Sequence, residues 1–215
     1  MKKSICFLTL AAVTGLGAFA ADGPKYELIA NYSYLQYNPS VTGFQSRAFN
    51  GGGVQTQVNF GKYLGIKGDF QGYESTQTTR IVTAPIGTSV GIIPVGTYKS
   101  SANMFTYMFG PVAGIHAHRA NFFTEILFGA SNTGAYADLH NEVIANGGKA
   151  SAYESQHPFT MAVGGGIDLN AGKHFAFRLG EVDYLLTRYT NPFTQTNNQN
   201  NFRYLGGVVF KFGGE

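Results

Sequence analysis

Eight charged residues lie among apolar neighbours in segments that otherwise alternate like β-strands: Lys67, Asp69, Glu125, Asp168, Arg178, Glu181, Asp183 and Arg203. A charge taken out of water must be paired or hydrogen-bonded. Both signs are present, so the set is suited to an enclosed salt-bridge network. Such a network serves either as a structural plug or as a gate through which ions leak when pairs exchange. The plug is the expectation adopted, because a filled interior is the default for a small barrel.

Other candidate chemistry is weaker. His116 and His118 in "GIHAHRAN" are two residues apart, which on a strand places both rings on one face. They lack a third ligand nearby, so a solvated turn is expected there and no metal site. His140 with Asp138 and Glu142 reads as a solvated loop, with cation binding or pH sensing as the alternative. The clusters Gly51-Gly52-Gly53 and Gly164-Gly165-Gly166 do not make phosphate loops, since neither opens a helix after a buried strand. "AGKH" also lacks the upstream glycine and the Ser/Thr that such a loop requires. Glycines in these segments instead permit bends, bulges and close packing. Ser131, Ser155 and His157 flank one long connection, but no G-x-S-x-G nucleophile motif is present. Neither catalysis nor a cofactor is expected; a lipid-modifying enzyme is kept as the minority alternative.

The elements that must position the charges follow from period-two alternation. Eight segments show it: "KYELIANYSY", "GVQTQVNF", "LGIKGDF", "NMFTYMFGPV", "FFTEILFGA", "PFTMAVGGGIDL", "FAFRLGEVDYLLTRY" and "FRYLGGVVFKF". Most approach the 9–11 residues that a tilted strand needs to cross a bilayer. Long connections near 38–50, 75–100, 131–157 and 190–200 alternate with short ones near 61–63, 116–121 and 170–173. Tight turns on one side and long loops on the other make an up-and-down transmembrane barrel pattern. The second long connection carries its own β-branched runs, so strands three and four are candidates to extend into it, and "YADLHNEVIA" in the third is a candidate short helix. The fold expected is all-β: one eight-stranded antiparallel up-and-down transmembrane barrel.

The seventh segment poses a parity problem. Phe175, Phe177 and Leu179 share one face, whereas Val182, Tyr184 and Leu186 have the other parity. A β-bulge at Gly180 would shift the register by one. Arg178, Glu181 and Asp183 would then all point inward. Without it, Glu181 and Asp183 would face lipid at a cost of up to a few kcal/mol near the midplane.

Composition agrees with a membrane barrel. Charged residues are only 13% of the chain, and aromatics are 14%, where a soluble domain carries about 25% charged residues. The start, "MKKSICFLTLAAVTGLGAFAADG", has a basic n-region, an apolar core and Ala18-Phe19-Ala20, so residues 1–20 are expected to be a signal peptide cleaved near Ala20/Ala21. The single cysteine, Cys6, falls inside it, which leaves 21–215 as one domain without thiol chemistry. Loss of Lys2 and Lys3 leaves 13 basic residues against 12 acidic, and no basic run remains for nucleic acid. Tyr26, Tyr32, Tyr34, Tyr184, Tyr189 and Tyr204 are placed near strand ends by the alternation and are expected to form an aromatic belt at the lipid interfaces.

The C-terminal third, "GGGIDLNAGKHFAFRLGEVDYLLTRY" followed by an Asn-rich loop and "NNFRYLGGVVFKFG", resembles the OmpA-like small outer-membrane barrels, and "FGKYLGIKGDFQGY" and "FFTEILFGAS" fit the same pattern. The resemblance runs from about Lys25 to Phe212. It implies a plugged polar interior and variable outer loops, in the cell outer membrane, without a peptidoglycan-binding domain. The partners it implies are outer-membrane lipid and lipopolysaccharide, the barrel assembly machinery and an extracellular ligand for the loops, with the barrel a monomer. Phe212 is followed by three more residues and the chain has no Trp, so the terminal aromatic assembly signal and the usual interfacial tryptophans are both altered.

Overall fold

The computed structural model describes residues 24–38, 46–81, 96–133, 157–189 and 197–213, with the side chains of 76–81, 96–101, 189 and 197 left aside. Eight strands follow one another: β1 Tyr26–Tyr37, β2 Arg47–Phe60, β3 Leu64–Ile81, β4 Gly96–His116, β5 Ala120–Thr133, β6 Phe159–Asn170, β7 Phe175–Tyr189 and β8 Asn197–Phe212. Each pairs antiparallel with the next, and β1 pairs with β8, so the sheet closes into a barrel. Closure matters physically: every strand finds both neighbours, and no edge is left to present unpaired N–H and C=O groups to an apolar medium.

Three tight turns sit at one end, with Gly61 supplying the positive φ of 76° that the β2–β3 turn requires. The same end holds Tyr26 and Phe212, the outer residues of the β1–β8 seam. We call it the turn end and the opposite one the loop end.

Alternation decides what faces outward. From turn end to loop end the outward set is Tyr26, Leu28, Ala30, Tyr32 and Tyr34 on β1, and Phe212, Phe210, Val208, Gly206, Tyr204 and Phe202 on β8. The other strands repeat the pattern, with Phe60, Leu64, Ile66, Phe70, Phe105, Phe109, Phe122, Phe128, Phe177 and Leu179 each about half exposed. A wall this apolar would aggregate in water; in lipid it is the expected surface.

At its loop-end margin the wall changes character. The next outward residues are Gln36, Asn50, Glu74, Asn103, Asn132, Arg188 and Asn200, one on each of seven strands. Tyrosine hydroxyls reach up to this polar ring: Tyr32 donates to Asn50 Oδ1 at 2.5 Å, Tyr34 to Gln36 Oε1 at 3.0 Å, and Tyr184 to Asn200 Oδ1. An amphipathic ring with its hydroxyl on the polar side marks a lipid–water boundary.

The strands outrun the segments expected from alternation. β2 begins at Arg47 rather than Gly53, β5 ends at Thr133, and β8 begins at Asn197. The reason is the polar ring. Beyond it the outward residues are polar, so the lipid-facing signal stops while backbone pairing continues. β3 and β4 go furthest. Seven register pairs, from Ser75↔Ala102 to Ile81↔Gly96, lie past the last β2 and β5 partners at Glu74 and Met104. The expected signal peptide, the candidate helix at 136–145 and His140 with Asp138 and Glu142 all lie outside the described residues.

Candidate functional site: the charged lumen

Five strands carry these inward charges at neighbouring heights, and β7 contributes three because its register slips. Ile167 pairs with Gly180 but Asp168 pairs with Arg178, and on the other side Arg178 faces Gly207 while Glu181 faces Leu205. Leu179 and Gly180 therefore oppose the single residue Gly206, which is a bulge. Leu179 stays outward at 55% exposure, whereas Arg178, Glu181 and Asp183 all point inward at 3% or less. The bulge frees the Leu179 carbonyl, and Tyr204 donates to it at 2.7 Å from β8. A Cβ on Gly180 would come within 3.0 Å of the Tyr204 ring, so the glycine keeps room for that cover.

All eight charged side chains named from the sequence are buried, and they form one network. Arg178 holds Asp168 in a two-pronged contact, Nε to Oδ1 at 2.8 Å and Nη2 to Oδ2 at 3.0 Å, and also bonds Glu181. Arg203 donates to Asp69 Oδ2 at 2.8 Å and through Nε to Asp183 Oδ2 at 2.8 Å, and lies 3.7 Å from Glu181. Lys67 bonds Glu125 and stands 3.5 Å from Glu181. Planar guanidinium groups suit this work because each satisfies several carboxylate oxygens at once.

Two members of the layer were not named from the sequence. Gln55 on β2 ties the halves together, donating to Asp69 at 2.9 Å and Glu181 at 2.8 Å while accepting from Arg178 at 2.5 Å. The Phe123 ring centroid lies 4.2 Å from Lys67 Nζ and 4.3 Å from the Arg178 guanidinium carbon, so both cations contact its π system. Parity could have found both. Gln55 alternates with outward Val54 and Thr56, and of the pair Phe122-Phe123 only one ring can face lipid.

Toward the turn end a second polar layer lines the mouth. Asn59 donates to Glu27 at 3.1 Å, Gln57 to Asn59 at 2.8 Å, and Asn121 to Asn170 at 3.1 Å, while Lys211 bonds Asn170. His116 joins it, with Nε2 3.6 Å from Glu27, whereas His118 is exposed in the turn. The two imidazoles do not share a face, because the strand ends at His116.

Toward the loop end the interior gains an apolar cluster among buried polar side chains such as Arg47, Thr187 and Asn201. Leu35, Tyr37, Phe49, Tyr73, Met104, Met108, Leu127 and Leu185 make one buried cluster, with Tyr37 and Phe49 edge to face at 5.5 Å. The polar interior expected from the sequence is therefore interrupted, not ended, by an apolar cluster on the loop side. Ser131 is buried here and shares a hydrogen bond with Thr160 at 3.1 Å. His157, two residues before β6, is exposed instead.

Carboxylate oxygens of Asp69, Glu125 and Glu181 lie within 4.8 Å of one another. Lys67 already bridges two of them and Arg203 holds the third, so this hub is organised around protein cations. Of the tyrosines expected in a belt, Tyr26, Tyr32, Tyr34, Tyr184 and Tyr204 face outward, and the side chain of Tyr189 lies outside the described ones. Tyr204 stands mid-strand, with its hydroxyl turned to the bulge and not to an interface. At the turn end the outward rings are chiefly phenylalanines: Phe60, Phe122, Phe175 and Phe212 join Tyr26 and Tyr63.

No protein-family model matches the chain, and no characterised sequence matches it. Solved structures do. Neisserial surface protein A (NspA) is 10% identical with a TM-score of 0.55, over 87% of this chain and 97% of that one. Ail, the attachment invasion locus protein of Yersinia pestis, is 12% identical with a TM-score of 0.48, over 89% and 100%. The N-terminal β-barrel domain of Pseudomonas aeruginosa OprF is 9% identical with a TM-score of 0.47, over 88% and 99%. At such identity the likeness to NspA speaks for the fold, and it agrees with the closed sheet, the apolar wall and the buried charges. The chain has the fold of the small, OmpA-like eight-stranded outer-membrane barrels.

Proposed function

We propose that this protein is a non-enzymatic barrel of a bacterial outer membrane, closed to ion flow, that acts at the cell surface through its loop end. The observation that carries the surface role is the β3–β4 ribbon. Its seven terminal register pairs extend past the polar ring, and among the described residues the two strands there pair only with each other. Its sequence, Ser75–Ile81 and Gly96–Ala102, is rich in Ser and Thr and carries Arg80 and Lys99 without an acidic residue. A stiff, polar, cationic projection is suited to contact with something outside the membrane, and exposed strand edges are a recurrent means of recognition.

Closure to ions is supported by the two interior layers. The charged layer is cross-linked through Glu181, which meets Lys67, Arg178 and Arg203, and the apolar cluster beside it disfavours a desolvated ion. Scaffold and recognition are then divided in the usual way, with rigid strands below and loops above. Lipid and lipopolysaccharide would contact the wall, and the barrel assembly machinery would insert it.

A cysteine at Thr78 tests the surface role, since the expected mature chain has no other. It should react with a membrane-impermeant maleimide on intact cells, and deletion of 76–101 should leave the heat-modifiable barrel while abolishing surface binding. Labelling only after lysis would refute the orientation, and unchanged binding by the deletion would refute the ribbon's role.

A further inference from the structure

Exposed charge is sorted by sign along the barrel axis. In the polar ring at the loop end the charged members are Arg188 and Glu74, one of each sign. At the turn end every exposed charged side chain among the described residues is a cation. Lys25 precedes β1, Lys62 lies in the β2–β3 turn, Arg119 in the β4–β5 turn and Lys173 in the β6–β7 turn. The acids nearest this end, Glu27 and Asp168, are buried in the lumen at 5% and 2% exposure, against His116 and Arg178. Asp22 and Glu215, the next acidic residues outward in sequence, lie outside the described residues; with both counted, cations still lead four to two.

The four cations are spread around the rim. One stands beside the β1–β8 seam and one at each of the three tight turns, so they mark alternate strand junctions of the closed sheet. Backbone hydrogen bonds fix each place. The Lys25 carbonyl accepts from Asn59 N at 2.9 Å, Tyr63 from Gly114 N at 2.8 Å, Arg119 from Asn170 N at 3.0 Å, and Phe175 from Ala171 N at 3.0 Å.

Each cation also adjoins a ring of the outer wall. Lys25 Nζ lies 5.5 Å from the centroid of the Tyr26 ring. Lys62 stands between Phe60 and Tyr63, Arg119 three residues before Phe122, and Lys173 two before Phe175; all five rings are exposed. Aromatic rings at the edge of an apolar wall mark where hydrocarbon gives way to headgroups, which puts the cations at headgroup level.

A compact acidic partner calls for a compact basic patch. A ring of cations at headgroup level instead meets what surrounds the barrel on every side, which is lipid. We propose that Lys25, Lys62, Arg119 and Lys173 recruit anionic phospholipid, of the phosphatidylglycerol class, as annular lipid of the leaflet at the turn end. Such a headgroup keeps a net negative charge, whereas phosphatidylcholine is zwitterionic. The inference rests on the membrane reading of the wall and is independent of the loop-end ribbon.

The test uses the full mature chain in phosphatidylcholine vesicles free of lipopolysaccharide, with a trace of spin-labelled phosphatidylglycerol or phosphatidylcholine. Electron spin resonance reads the fraction of each label that the protein immobilises. At low salt the anionic label should associate about fivefold more strongly, the ratio to which about 1 kcal/mol per cation near a charged interface converts. The preference should collapse in about 1 M salt, where the screening length falls to about 3 Å. The Lys25→Gln/Lys62→Gln/Arg119→Gln/Lys173→Gln variant should treat both labels alike, while Arg188→Gln should keep the preference. A heat-modifiability gel on each protein first establishes insertion, so that failure of the membrane reading is seen separately. Equal association of the two labels with the inserted wild type would overturn the proposal. So would an undiminished preference in the fourfold variant, which moves the contact elsewhere, or its loss in Arg188→Gln, which moves it to the loop end. Retention of the wild type on immobilised polyglutamate, without lipid preference, would overturn it in favour of an acidic soluble partner. Should the fourfold variant fail to insert, the wild-type preference and its salt dependence decide the question alone.

Discussion

The turn-side and loop-side parts of this barrel are built on opposite patterns. Near Lys67, Asp69 and Arg178, charge is inside and Phe70, Phe109 and Phe177 are outside. Near Leu35, Phe49, Tyr73 and Met104, the inside carries an apolar cluster, and Gln36, Asn50, Glu74 and Asn103 stand outside. One sheet thus holds its charges on the turn side of the lumen and, from mid-wall up to the polar ring, an apolar cluster mixed with polar groups. Strand pairing is indifferent to the switch, because backbone hydrogen bonds form whatever the side chains face. The surrounding solvent sets the pattern, and the ring marks where it changes.

The two regions should fail differently, and the charged one more severely. Arg203→Met leaves Asp69 and Asp183 without their main counter-charge, a loss of about 3–5 kcal/mol, measurable by urea unfolding in lipid vesicles. Restoring balance in the same background with Asp183→Asn should recover part of it. A charge on the outer wall comes next: Val182→Arg, at a 55% exposed position in the middle of β7, should cost about 2–4 kcal/mol. The same change at the ring, Asn200→Arg, should cost about 0–1 kcal/mol. In the apolar layer, Leu185→Ala opens a cavity worth about 2–3 kcal/mol and should leave the salt bridges intact. Tyr204→Phe, which strips the donor from the bulge carbonyl, should cost about 1 kcal/mol. Equal penalties at positions 182 and 200 would abolish the distinction between the two zones.

How much of this was legible in the sequence follows from the same contrast. Below the ring, alternation between apolar and charged residues is steep, so the barrel, the strand order and the slip at Gly180 could be read from parity alone. The clue at Gly180 was energetic: without a bulge, Glu181 and Asp183 would lie in lipid. Above the ring both faces are mixed, since apolar Phe49 alternates with Ala48 and Asn50, and the strand limits there were set too short. Leu35, Met104 and Leu185 were missed as a buried layer because an apolar residue next to lipid-facing ones looks like more wall. Gln55 carries no charge, and its local sequence shows only that it points inward, not that β3 and β7 converge on it.

The absence of tryptophan from the chain allows the most direct test of the boundary. Single tryptophans at Val182 and Asn200 can be placed in vesicles of lipids brominated at defined depths along the acyl chain. The account predicts that a tryptophan at 182 is quenched most by bromines near the bilayer centre. One at 200 should be quenched only by the shallowest, with its emission shifted toward that of a water-exposed indole. Deep quenching at 200, or none at 182, would contradict the placement of the lipid boundary at the polar ring.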